Sequence, residues 1–244
     1  MYNYFLFLAF FEIIIVDRVL KNRGIELNNM EKTGTLLFIL IIIQYCVLFS
    51  GNLYYLLRIS FSIPILFIIS YTDTKYRLVF DEDLICGIIV QVGIVLTFII
   101  VDIVYIKRYF PIEFDCTFTE KITSLYRQYA NESFEINEFT YFLKHIFFLM
   151  NDIKGNVYSV VIIFLISYTL SKATGAMGMG DVLYFSFVAS FGNMNQSIFI
   201  FFVSFIASGL YCICLNILDN KSFFNGLISF TPFISVGFIV SLCI

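Results

Sequence analysis

Two aspartates stand where a carboxylate is costly. Asp73 closes an apolar run in ISYTDTKYRLVFDEDL, and Asp181 follows Gly178 and Gly180 in TGAMGMGDVLYF, at the head of another apolar run. Ionisable groups in or beside membrane-type segments are rare and either pair with something or act on something. Asp181 is placed for a helix N-terminus, where the dipole favours its charged form. The glycines before it let a backbone or a substrate come close and tolerate positive φ. If the fold brings the two carboxyls together, they share one proton, because like charges at close range cannot both ionise. One then activates a water as general base, and the other protonates the carbonyl or the leaving group. That is peptide hydrolysis of the aspartyl type, which uses no cofactor, metal or serine. Other hydrolytic signatures are missing: the chain has no HExxH and no GxSxG. Taken singly, each aspartate also fits a plainer role as a helix cap or an interface residue.

The elements that must position these groups are membrane helices. The chain has 244 residues, is 60% hydrophobic and only 14% charged, and has a mean hydropathy of +0.90. Soluble domains run nearer 45–50% apolar and about 25% charged, and no interior of this size hides the surplus. The sequence predicts an all-α polytopic membrane helix bundle, one domain over 1–244, with about seven or eight transmembrane helices. The candidate runs are Tyr2–Val16, Leu36–Tyr55, Ile59–Thr72, Leu84–Ile106, Val157–Leu170, a segment from about Val182, Ser197–Leu218 and Phe223–Ile244. A span needs about 20 residues. Val182–Gly192 alone cannot cross about 30 Å at about 1.5 Å per residue. That helix must begin in the glycine stretch, run on through Asn193–Gln196, or be enclosed by protein.

With the N-terminus outside, loops 17–35, 73–83, 171–181 and 219–222 are internal and hold Arg18, Lys21, Arg23, Lys32, Lys75, Arg77, Lys172 and Lys221, while Arg58 falls in a short outer loop. The positive-inside rule favours this orientation. It puts both aspartates at cytoplasmic helix ends. The polar stretch at about 107–156 reads as an insertion. Within it Phe139, Phe142, Leu143, Ile146, Phe147 and Met150 recur at helical spacing, predicting an amphipathic helix on the membrane or capping the bundle. His145, the only histidine, reads there as solvent-facing or satisfied, not as a metal ligand. The six cysteines form no CxxC pair and read mostly as small buried apolar residues, with no disulfide framework or zinc site expected. The apolar N-terminus lacks a basic n-region and reads as a retained helix. A net charge of -3 without a basic tail gives no reason to expect a nucleic-acid partner.

TGAMGMGD resembles the motif around the second catalytic aspartate of the type IV prepilin peptidases, a family of GxGD membrane aspartyl proteases. DTKYRLVFDEDL resembles that family's first site, with Arg77 four residues after the aspartate and Val79-Phe80-Asp81 where an Ile-Pro-Asn-like triplet stands. NGLISFTPFISVGF is similar to the family's final helix, with Pro232 and Phe233. The likeness covers roughly residues 59–106 and 157–244. It implies a membrane endopeptidase that cuts basic leaders from prepilin-like or pseudopilin-like substrates at the cytoplasmic face of a bacterial inner membrane. Asp73 and Asp181 would be its catalytic pair, with Gly178, Gly180 and Arg77 shaping the site. The chain departs from the pattern at Leu183, where the family carries a lysine, and at Phe80 and Asp81. Loop 17–35 is short and cysteine-free, unlike the cytoplasmic domain linked to N-methylation in many members, so methylation is not expected.

Asp81, Glu82 and Asp83 admit two readings. They could hold a basic leader electrostatically, or one of them caps the fourth helix while the rest are solvated; capping is the plainer expectation. Two other functions stay open for the chain. One is a GxGD intramembrane protease of the signal-peptide-peptidase or presenilin kind, although the C-terminal Pro-Ala-Leu of that group is replaced by Thr231-Pro232-Phe233. The other is a transporter or assembly protein using the aspartates for ion binding or helix pairing.

Overall fold

The computed structural model describes residues 2–49, 53–109, 138–175, 177–219 and 228–242. Among them every regular element is an α-helix: α1 (Tyr2–Asn22), α2 (Asn29–Phe49), α3 (Leu53–Tyr76), α4 (Asp81–Tyr109), α5 (Glu138–Thr174), α6 (Met179–Ala189), α7 (Met194–Asp219) and α8 (Thr231–Ser241). Among the described residues four stretches are long and apolar enough to cross a membrane: Tyr54–Tyr76, Asp81–Val104, Ile146–Thr174 and Met194–Leu215. The chain is therefore a helical membrane protein.

Two compact units form, Met1–Ile94 with Lys154–Ile244 and, separately, Val95–Ile153. The first holds both aspartates. In it α3 packs on α1, α2 and α8, and α8 packs in turn on α6 and α7. Ile43, Ile63, Ile69, Tyr184, Val188 and Ile234 share its main apolar cluster. Many buried hydroxyls are satisfied inside their own helices: Ser62, Thr72, Ser186 and Ser204 each donate to the carbonyl four residues back. Ser60 on α3 and Glu12 on α1 are different: both are buried, and neither the Ser60 hydroxyl nor either Glu12 carboxyl oxygen has a hydrogen-bond partner among the described residues.

Several sequence expectations change. Helix α3 begins at Leu53, so Arg58 is not in an outer loop but inside the helix and buried. The expected amphipathic helix and fifth span are one continuous helix, α5, because Asn151–Asn156 contains no proline and a single glycine costs only about 1 kcal/mol. Positions 110–137 of the insertion lie outside the described residues. Helix α6 starts in the glycine stretch, stops before Asn193 and is enclosed by protein, with Val182 and Tyr184 through Ala189 all buried. Cys86 and Cys214 are exposed, not buried, on the outer faces of apolar helices, and Cys212 is half-buried. Cys116 and Cys243, like the side chains of Cys46 and His145, lie outside the described positions.

Candidate active site

Asp73 sits in the last turn of α3 and is buried. Its Oδ2 accepts hydrogen bonds from the Thr231 hydroxyl at 2.8 Å, the Thr231 backbone N–H at 3.3 Å and the Ser229 hydroxyl. The start of α8 thus grips one carboxyl oxygen of α3, and a backbone N–H can only donate, so Oδ2 serves as an acceptor. The helix dipole at that terminus favours the same negative charge. Neither Ser229 nor Thr231 stands out as a site residue in the sequence. The one signal is two hydroxyl residues just ahead of Pro232, which cannot donate a backbone N–H and marks a helix start.

Asp181 occupies the first turn of α6, outside the four long spans. Its Oδ2 accepts the Gly178 N–H at 3.2 Å. Burial pushes its carboxyl up to about 6, the nearby Asp73 charge pushes it the same way, and the Gly178 N–H opposes both. The Asp73 charge is thus felt at the Asp181 carboxyl. A polar chain ties together the three helices that carry the site: the Tyr184 hydroxyl of α6 meets Ser235 of α8 at 2.6 Å, and Ser235 meets Ser70 of α3 at 2.6 Å.

The glycines divide the work differently from expectation. Gly178 is extended (φ -71°), and a Cβ there would meet only the Asp181 carboxylate at 3.5 Å. The left-handed turn falls at Gly175, with φ +63°. Gly180 is held by close approach, because a Cβ there would stand 3.1 Å from Cβ of Val79. Val79 belongs to the loop after Asp73, so this contact seats one aspartate motif against the other.

Arg77 has φ +55°, and its N–H bonds the Asp73 carbonyl at 2.8 Å, ending α3. Its side chain is exposed and meets neither aspartate among the described residues. The acidic triplet occupies the first turn of α4. Asp83 is buried in a two-pronged pair with Arg23, at 2.6 and 2.7 Å, and Arg23 also lies 4.3 Å over the Phe80 ring. Asp81 and Glu82 are exposed. At the far end of α6, buried Arg58 donates to the Ser190 carbonyl at 2.5 Å, to Gln91 at 2.9 Å and to the Tyr54 hydroxyl at 3.0 Å. A cation at a helix C-terminus suits the dipole there, so α6 is anchored at both ends.

The arrangement offers one carboxyl held through a single oxygen by three donors and a second whose burial raises its affinity for a proton. Such a pair suits water activation coupled to proton donation. Compared with known proteins, the chain matches no family model, no curated protein and no solved structure.

Proposed function

We propose that this protein is a membrane aspartyl endopeptidase of the GxGD type, built on seven or eight spans. It cuts the basic leader from prepilin-like or pseudopilin-like membrane substrates at the cytoplasmic face. The observation that carries this reading is the pair itself: Asp73, held through Oδ2 by Thr231 and Ser229, and an Asp181 carboxyl that feels its charge and is raised to about 6. The ordered sequence motifs around both aspartates support the substrate class. In the reaction Asp73 takes a proton from water through its other oxygen. The water oxygen adds to the scissile carbonyl, whose oxygen receives the Asp181 proton. Collapse then breaks the C–N bond, and the amine leaves with a proton returned by the pair.

The test is cleavage of a single-span substrate with a lysine-rich leader in proteoliposomes, followed by gel shift. Wild type cuts it, a leader with its lysines changed to glutamate is cut at least tenfold more slowly, and Asp181→Asn at equal membrane levels cuts neither. Undiminished cleavage by Asp181→Asn overturns the reading.

A further inference from the structure

An apolar groove of about 500 Å³ lies against the candidate site. Leu84, Ile88 and Val92 of α4 form one wall, Leu183 and Phe187 of α6 the other, and Val160 of α5 contributes to the lining. The α4 positions recur every four residues and the α6 positions are four apart, so each wall is a single helical stripe. From Leu84 to Val92 the groove runs about 12 Å along α4. The α4 wall is half open, with Ile88 50% and Val92 51% exposed, so a segment already in the membrane can enter sideways.

One end of the groove meets the two motifs. Asp81 lines it there, two residues after the Val79 that seats Gly180, and Leu183 follows Asp181 by two residues. Asp83 is committed to Arg23, which leaves Asp81 as the exposed anionic group lining that mouth, with exposed Glu82 next to it in the chain. Leu183 makes the opposite lip uncharged. An acidic mouth continuous with an apolar trough matches, in charge and order, a cationic leader continuous with an apolar membrane segment.

We infer that this groove seats the apolar segment of the membrane substrate immediately beyond its leader, with Asp81 and Glu82 receiving the leader's cationic side chains. This rests on the protease reading, and it adds the surface that selects the substrate's membrane part. The groove sets affinity for the apolar segment and takes no part in bond breaking.

The test places a photoreactive phenylalanine analogue at Ile88, or at Ile103 further along α4 as the control, in Asp73→Asn protein in bilayers with the single-span substrate. The expected result is a substrate adduct from position 88, mapped to the apolar segment and at least fivefold stronger than from 103. Adducts with lipid alone, or equal substrate adducts from both positions, overturn the inference. Cleavage supplies the second readout. Ile88→Trp lowers kcat/KM for the full substrate about tenfold and changes it less than twofold for a leader peptide ending four residues past the cut. An equal loss on both substrates, or no loss on either, also overturns it. Failure of the protease reading looks different: Asp73→Asn still cuts, or wild type cuts nothing, whatever the adducts show.

Discussion

Helices α3 and α4 are both long enough to cross a membrane, yet they are used in opposite ways. The span in α3 has a mean hydropathy of 1.5 and is 67% buried in protein, whereas that in α4 has 2.9 and is 17% buried. The less hydrophobic helix is the interior one. Lipid is as apolar as leucine, so apolarity does not drive a membrane helix inward; packing and interhelical hydrogen bonds do. Helix α3 brings Arg58, Ser62, Ser70 and Asp73 to its neighbours and meets partners for each on other elements or its own backbone. Helix α4 turns Ile85, Ile88 and Ile89 outward, and its buried polar contacts are confined to Asp83 and Gln91 in the first unit. One helix holds the chemistry rigid, and the other presents a face.

The sharpest way to break this contrast is to truncate the same residue type on both helices. Ile69→Ala, at a position 0% exposed, should cost about 2–4 kcal/mol, and Ile89→Ala, at 65% exposed, no more than about 0.5 kcal/mol, read by thermal unfolding in detergent. Equal costs would remove the distinction.

The contact between the two motif loops gives the next effect. Gly180→Val forces branched carbon onto Val79 and should cost about 1–3 kcal/mol, with part recovered in Gly180→Val/Val79→Ala. Gly178→Ala, with only an ordinary 3.5 Å contact ahead of it, should stay within about 0.5 kcal/mol.

The smallest effect is the pH dependence of stability. The Asp181 carboxyl is raised in the fold from an ordinary 3.8 to about 6, so its contribution is full below about 4 and is lost as pH rises through 6. Wild type should lose stability over that interval relative to Asp181→Asn, by about 1 kcal/mol once solvent screening is allowed for. Parallel melting curves against pH would contradict the burial of this group.

Much of this site is readable without coordinates, because a carboxylate beside apolar sequence has few inexpensive explanations. Asp73 and Asp181 emerge that way, whereas the run of α6, too short to span, leaves an earlier start, a longer run or enclosure by protein equally open. Ser229 and Thr231 stay hidden because hydroxyl residues in apolar sequence usually bond their own helix, and sequence does not show which ones reach across. Arg58 misleads for a related reason. A charge near the end of an apolar run reads as loop, yet here Tyr54, Gln91 and the Ser190 carbonyl satisfy it inside α3. Asp83 reads as part of a free acidic cluster until Arg23, sixty residues earlier, is found against it. All these misses involve pairings between distant segments, which local patterns do not encode.

The central claim is that Asp73 and Asp181 act as one unit. It is tested most directly by measuring substrate cleavage for Asp73→Asn, Asp181→Asn and the double variant at equal membrane levels. Each single variant should lose about 10³-fold or more in kcat, and the double should be no slower than the worse single, because either loss alone disables the pair. Losses that multiply in the double variant, or a single variant that keeps near-wild-type cleavage, would contradict a shared-proton dyad.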